Sequence, residues 1–454
     1  HDQEEKGHSL TLLGRRGDGE ALESAQFQHT WPMRLRKLSA ALCSALLIGV
    51  GGFAAASSAP STATANRPAS APMQAAPAAS APAPREPVDA ARVDAATAEI
   101  DALASAIIAR GVPGLAVAVV HGERVVLARG YGRTGGREGE RVDADTVFRI
   151  ASLSKGFAGT LAGQLVEDGA LRWDMPLNQQ LPTFQLADAA GSAQLTVRDV
   201  LAHRMGLKFH TFDRDLEGDT PYPLLAARLG SAPLLCAPRE CFGYQNVAFS
   251  LIGDVVFAVT GDFYTRLVEK RLFAPLGMEN ATFGRDGLES SRRWARPHVR
   301  SGRGWTAVRP RENYYRVPPA AGINASVADM ARWATAQLGH RPDVLSPSLL
   351  ADLHAPVVRT PDQLGGSPWR RTRLRNAHYA SGWRVFDYSG ETAVYHAGAV
   401  QGYRAMIGLL PRRDVGIVVL WNSESALPSG LMPTFFDRIL ELPEQRWVDL
   451  VNGR

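Results

Sequence analysis

Lysine is scarce in this chain. Of fifty basic side chains only five are lysine: Lys6, Lys37, Lys155, Lys208 and Lys270. Arginine is effectively always protonated, whereas a buried lysine can be driven toward neutrality. Each lysine kept among so many arginines is therefore a candidate for a special role. Cysteine is scarcer still, with three in 454 residues. No His or Cys pair stands at zinc-ligand spacing around Cys236 and Cys241. His298, His354 and His378 form no metal constellation, so no metal and no organic cofactor is expected. No G-x-S-x-G occurs, which argues against the nucleophile elbow of an α/β-hydrolase. No internal repeat is present, which argues against a solenoid. The net charge of +5 is spread along the chain and is not interleaved with aromatics, so nucleic acid is not an expected partner. The densest basic cluster, Arg370, Arg371, Arg373 and Arg375, reads as a solvated loop.

The N-terminal apolar run, Leu38 to Phe53, covers about 16 residues. That is short of the roughly 20 a spanning helix needs, and glycine and serine interrupt it. Met33, Arg34, Arg36 and Lys37 precede it and Ala54-Ala55-Ala56 follow it. Residues 33–56 therefore read as a secretory signal peptide, with a membrane anchor as the alternative. Cys43 lies inside the apolar run, where a lipidated cysteine does not belong. Residues 1–32 read as an upstream translation artefact, or else a real N-terminal extension. Residues 57–88, mostly Ala, Pro and Ser, read as an extended linker. The expectation is an exported protein, periplasmic or secreted, with no stable membrane anchor and a folded domain over residues 89–454. In an oxidising compartment Cys236 and Cys241 can pair; the alternative is two free buried thiols, and the inferred export favours the disulfide.

One of the five lysines sits in Ser152-Leu153-Ser154-Lys155. On a helix, positions i and i+3 share a face. Ser152 and Lys155 then point into one space, which suits base-assisted attack by a hydroxyl on a carbonyl. Taken alone, an S-x-x-K is more often an exposed helix start with an N-cap serine. The context differs here. Small and apolar residues, Gly156 to Val166, follow on most faces and predict a buried helix, where an unpaired lysine would be costly.

Two further constellations follow in order. Tyr244-Gln245-Asn246 is a Y-x-N, and His396-Ala397-Gly398 is an H-x-G ahead of a strand-like segment. S-x-x-K, Y-x-N and H-x-G in this order resemble the serine beta-lactamase and penicillin-binding superfamily. The resemblance is closer to the branch holding class C beta-lactamases, D-Ala-D-Ala carboxypeptidases and related esterases. Flanking segments agree: Leu195 to His203, Pro275-Leu276-Gly277-Met278, and Ala320 to Arg332 are similar to motifs of that branch. The likeness covers about Val93 to Leu440.

The resemblance implies roles. Ser152 would form an acyl-enzyme, its N–H serving as an oxyanion donor, and Lys155 would accept the serine proton. Tyr244 would lie opposite and share the proton traffic, and Asn246 would orient Lys155 and the substrate amide. Gly398 would let its strand approach the substrate, and Ala399 would supply the second oxyanion donor. His396 stands where class C beta-lactamases carry a lysine, which puts strong beta-lactamase activity in doubt because histidine is mostly neutral at pH 7. Arg404 reads as a surface strand arginine, with a carboxylate contact as the alternative. His203 reads as structural, and Met205 replaces a serine usual in that branch. The expected protein is an exported serine acyl hydrolase acting on a beta-lactam or D-amino-acid amide. The alternatives are a carboxylesterase of the same fold, or a catalytically silent relative that binds cell-wall peptide.

The coarse pattern predicts a helix over Ala95–Arg110, then a hairpin of Leu115–Val120 and Arg124–Arg129. A helix follows from Leu153, and residues 155–330 read as mainly helical. Strands are predicted at Arg384–Asp387, Ala393–His396, Tyr403–Leu409 and Val415–Trp421, then a helix over Pro433–Leu440. Strands at both ends with helices between predict an α+β fold: one antiparallel sheet built from both termini, flanked by helices, plus a helical lobe.

Overall fold

The computed structural model describes residues 84–136 and 139–451. The expected extension 1–32, the signal peptide 33–56 and nearly all of the linker 57–88 lie outside the described residues.

The first helix, α1, spans Ala90–Ala109, and begins five residues before the predicted start. Asp89 explains the difference, because its carboxylate accepts from the Ala91 N–H at 3.1 Å and caps the helix. Val93, Ala96, Ile100, Ala104 and Ile107 form its buried stripe.

The strands, in chain order, are β1 (Gly114–His121), β2 (Arg124–Gly132), β3 (Val147–Arg149), β4 (Thr282–Phe283), β5 (His298–Ser301), β6 (Gly304–Ala307), β7 (Ile323–Ser326), β8 (Val358–Arg359), β9 (Leu374–Tyr379), β10 (Arg384–Tyr388), β11 (Glu391–Val400), β12 (Tyr403–Leu410) and β13 (Val415–Trp421). Eight of them form one sheet in the order β2-β1-β13-β12-β11-β10-β9-β8, and each neighbouring pair is antiparallel. The N-terminal strand β1 lies against the C-terminal strand β13, from Leu115↔Trp421 to His121↔Val415. This is the expected sheet of both termini.

Successive residues of a strand point to opposite faces, and β1 feeds two cores accordingly. Leu115, Val117 and Val119 pack with α1 and with Phe435 and Phe436 of the C-terminal helix Leu431–Ile439. Ala116, Ala118 and Val120 face the helical layer that holds Phe157, Leu161, Met330 and Trp333. A strand buried on both faces reads as a continuous apolar run, which is why β1 and β13 were legible.

Two features depart from expectation. The small sheet β3-β7-β4 and the strands β8 and β9 were not anticipated; they are short or polar and carry no periodic signal. The arginine cluster is not a solvated loop. It spans a helix, Pro368–Arg373, and the start of β9. Arg373 is buried, with Nε 3.0 Å and Nη2 2.8 Å from the Asp437 carboxylate.

The pairing of β10 with β11 stops at Arg384↔Tyr395. The second half of β11, His396–Val400, is paired with β12 alone. Its other edge is open.

Cys236 and Cys241 are joined in a disulfide, closing a loop just ahead of Tyr244. The loop is also held by the Leu235 N–H on the Gly206 carbonyl at 2.7 Å. Replacing both cysteines by serine should lower stability by about 2 kcal/mol, the chain-entropy value for so short a loop. Urea unfolding of the oxidised protein and of the variant measures this; coincident curves would show that the bond constrains nothing.

Candidate active site

Ser152 stands in a single 3-10 turn, Ala151–Leu153, that runs directly into α2 (Ser154–Glu167). The turn is sharp, with Ala151 at φ 49°. Ser154 braces it: its hydroxyl donates to the Ala151 carbonyl at 2.7 Å and accepts from the Ile323 N–H at 3.1 Å. The Ile150 N–H reaches the Ile323 carbonyl at 3.1 Å, so β7 holds the turn from one side.

α2 is buried over most of its length, as its composition predicted. Gly159 shows why small residues are needed. A Cβ there would lie 2.2 Å from the Ser381 carbonyl oxygen, so the loop before β10 can rest on α2 only over a glycine.

Lys155 is fully buried. Its Nζ is 3.4 Å from Ser152 Oγ, 2.7 Å from Asn246 Oδ1 and 3.1 Å from the Ala320 carbonyl oxygen. The i, i+3 relation predicted from sequence is thus present. Burial pushes the amine well below the ordinary lysine value; Asp213 opposes that shift and Arg384 adds to it.

Tyr244 lies over the same space, its ring centroid 4.7 Å from Lys155 Nζ. Burial raises the phenol to about 12, while Arg384 and the Ser152 hydroxyl pull it down and Asp213 adds to the rise. Neutral phenol is the resident form at physiological pH.

Asn246 bridges two groups. Its carbonyl takes the Lys155 ammonium or amine, and its Nδ2 donates to Asp213 Oδ2 at 2.8 Å. Asp213 was not anticipated. It is buried and also accepts from, or pairs with, His210 Nδ1 at 2.7 Å. A chain Lys155–Asn246–Asp213–His210 thereby runs away from the nucleophile. No motif around Asp213 flagged it, because it opens a short helix, Asp213–Glu217, remote in sequence from Asn246.

His396 is a buried residue of β11 and does not line the cleft beside Ser152. Its Nε2 meets the Tyr379 hydroxyl at 3.0 Å and its Nδ1 is 2.9 Å from the Ala397 carbonyl. Burial, then Arg384 and Lys155, hold its pKa well below 6.5. The imidazole is neutral and supplies no cation.

Gly398 sits where β11 meets the nucleophile turn. A Cβ there would lie 2.3 Å from the Ile150 carbonyl oxygen and 3.0 Å from the Ser152 nitrogen. Ala399 follows, exposed on the open edge of β11. Ser152, Tyr244, Asn246, Gly398 and Ala399 line one cleft of about 680 Å³.

His203 is structural, as expected. It is fully buried at φ 57°, its Nδ1 takes the Gln245 N–H at 3.2 Å, and its ring lies 4.5 Å from that of Tyr244. Met205 is a buried core residue. Arg404 spends its guanidinium on the Val400 and Tyr403 carbonyls at 2.7 and 2.8 Å, with Glu424 3.9 Å away. Its bonds are to the end of β11 and the start of β12.

The family model described as Beta-lactamase matches residues 92–438. The chain belongs to the beta-lactamase family. Among curated relatives of this beta-lactamase-family protein, an unguisins hydrolase of Aspergillus campestris is 27% identical over 351 residues, covering 74% of this chain and 64% of that protein. Protein flp of Staphylococcus aureus is 26% identical over 331 residues, covering 72% and 63%. The match thus spans less than two thirds of either relative's length. Solved structures share the fold. A penicillin-binding protein homologue from Pyrococcus abyssi superposes with a TM-score of 0.67 at 22% identity, covering 80% of each chain. The D-amino acid amidase of Ochrobactrum anthropi gives 0.63 at 22%, covering 76% of this chain and 98% of that one. A class C beta lactamase gives 0.61 at 20%, covering 77% and 98%. The fold is therefore the beta-lactamase/transpeptidase-like α+β fold that the sequence resemblance implied.

Proposed function

We propose that this protein is a serine acyl hydrolase that works through an acyl-enzyme on Ser152. The observation that carries the reading is a fully buried lysine, held below its ordinary pKa, 3.4 Å from a serine hydroxyl at the mouth of a cleft.

In this reading neutral Lys155 takes the Ser152 proton as Oγ attacks the substrate carbonyl. The backbone N–H groups of Ser152 and Ala399 receive the oxyanion. Tyr244, still protonated, gives its proton to the departing group and recovers one from Lys155. Water then attacks the acyl-enzyme by the reverse relay. Asn246, fixed by Asp213, holds Lys155 in place. An amide of a D-amino acid or a beta-lactam is the leading substrate class, supported by the fold neighbours that are an amidase and a beta lactamase. An ester is the second, favoured by the neutral His396. Export is part of the proposal, supported by the signal-like pattern of residues 33–56 and the Cys236–Cys241 pair. Labelling by a fluorescent penicillin and by a fluorophosphonate tests the nucleophile. Both labels should attach to the wild type and neither to Ser152→Ala; labelling that survives the substitution would refute the assignment.

The pH dependence has a definite sign. Lys155 is active when neutral, so kcat/KM for p-nitrophenyl butyrate should rise from acid pH to a plateau. The midpoint should lie well below the ordinary lysine value, because burial disfavours the ammonium. Asp213 raises the Lys155 pKa. Asp213→Asn should therefore move the acid limb to lower pH. A limb displaced to higher pH would mean that Lys155 is not the group titrating.

A further inference from the structure

A second cavity, of about 1110 Å³, lies at the outer edge of the large sheet. The edge strand β2, the end of α1 and the β5–β6 hairpin form its walls, and it shares no lining residue with the cleft that holds Ser152. Six arginines line it: Arg110, Arg129, Arg133, Arg141, Arg300 and Arg303. No aspartate or glutamate is among its described lining residues.

Little of this charge is neutralised. Arg110 meets Asp449 at 2.9 Å and Arg129 meets Asp101 at 3.1 Å, both on exposed surface, where such pairs are weak. Arg133 gives its Nη1 to the Gly139 carbonyl at 2.8 Å. Among the described residues Arg141, Arg300 and Arg303 make no ion pair. The isolated bridge Arg133↔Arg141 sets two like charges opposite each other, which is unfavourable without an anion between them. Arg300 faces Trp305 across the hairpin, its guanidinium 5.0 Å from that ring. A fork held this way loses little freedom on meeting an oxyanion.

A buried group narrows the chemistry of that anion. His298 lines the same cavity and is 1% exposed. Its Nδ1–H donates to the Asn422 carbonyl at 3.0 Å, so Nε2 carries the lone pair. Nε2 is buried and has no partner. Burial holds the ring below the ordinary histidine pKa, so it stays a neutral acceptor. The cavity thus combines many cationic donors with one unsatisfied acceptor. A phosphate group answers both. Its oxygens accept from guanidinium forks, and with a second pKa of about 6 it keeps a P–OH in part of its population. A sulfate ester or a carboxylate near neutral pH only accepts.

We propose that this cavity binds a small molecule carrying several phosphate groups, one of which donates to His298 Nε2 while Arg141, Arg300 and Arg303 take the oxygens. The site stands apart from the nucleophile cleft and does not depend on the acyl hydrolase reading.

Calorimetric titration of the full protein at about pH 6.5, near the second phosphate pKa, tests this with two matched probes. They are myo-inositol hexakisphosphate and myo-inositol hexasulfate, which share a ring and differ in the P–OH. The hexakisphosphate should bind at a single site, severalfold tighter than the hexasulfate, and more weakly as salt is added. Arg300→Gln combined with Arg303→Gln should weaken it by about tenfold or more. Arg266→Gln combined with Arg309→Gln removes two exposed charges outside the cavity and should leave the affinity unchanged. His298→Phe should abolish the preference for phosphate over sulfate while both probes still bind. Inorganic tripolyphosphate separates the sources: affinity equal to the hexakisphosphate identifies an inorganic chain, and weaker binding identifies a phosphorylated polyol. The arginine pairs decide the matter even if His298→Phe folds poorly. Equal weakening by the two arginine pairs, no binding of either phosphate probe, or no preference for phosphate in wild type would overturn the proposal.

Discussion

Lys155→Arg should reduce kcat/KM for p-nitrophenyl butyrate by a factor of roughly a thousand, about 4 kcal/mol in the barrier. Arginine is charged at working pH and cannot give up its proton. The wild-type site holds an amine that burial has already pushed toward neutrality, and the substitution reverses that state. Ser152→Ala should be at least as damaging and should also end covalent labelling, since among the described residues Ser152 carries the one hydroxyl hydrogen-bonded to Lys155 Nζ. The two variants differ in a useful way. Lys155→Arg leaves Ser152 in place, so slow labelling by a fluorophosphonate should persist; Ser152→Ala leaves none. Steady-state kinetics with time-resolved labelling would distinguish them. Wild-type turnover by either variant would overturn the mechanism.

Gly398→Ala should lower kcat/KM by about a hundredfold while leaving the protein folded. The backbone there is ordinary strand, so the effect is steric. The added methyl would meet the Ile150 carbonyl oxygen at 2.3 Å and the Ser152 nitrogen at 3.0 Å. Neither is a flexible side-chain end, so the strand and the nucleophile turn must part. Parting them by even about 1 Å misplaces the attacking oxygen against the carbonyl, and such shifts cost on the order of 10² in rate. Kinetics alongside thermal unfolding would separate this from global damage. A full-rate variant would show that the junction of β11 with the turn does not set the geometry.

Different parts of this molecule were legible in the sequence to different degrees. β1 and β13 announced themselves because burial on both faces leaves only apolar residues. Ser152 and Lys155 were legible because a local relation, one helical turn, carries their chemistry. Tyr244, Asn246, His396 and Gly398 were picked out through their resemblance to ordered motifs; Tyr244, Asn246 and Gly398 line one cleft, whereas His396 is buried against Tyr379 and does not line it. Asp213 was not found. It comes from a segment whose local pattern is unremarked, and it gains meaning only from Asn246, which is distant in sequence. The arginine cluster misled for the same reason. Spacing along the chain says nothing of Asp437, which takes Arg373 into the interior.

The pairing of Leu115 with Trp421 has a consequence for the order in which this chain can assemble. β1 must wait, beside β2 alone, until almost the whole domain has been synthesised before β13 can take its place between β1 and β12. Closing so long a loop costs entropy that only the final strand repays. The hairpin at the beginning of the domain cannot by itself complete a stable sheet. A ribosome-bound chain lacking Val415–Trp421 would therefore hold the β1–β2 hairpin and the β12–β8 part of the sheet without the strand that joins them.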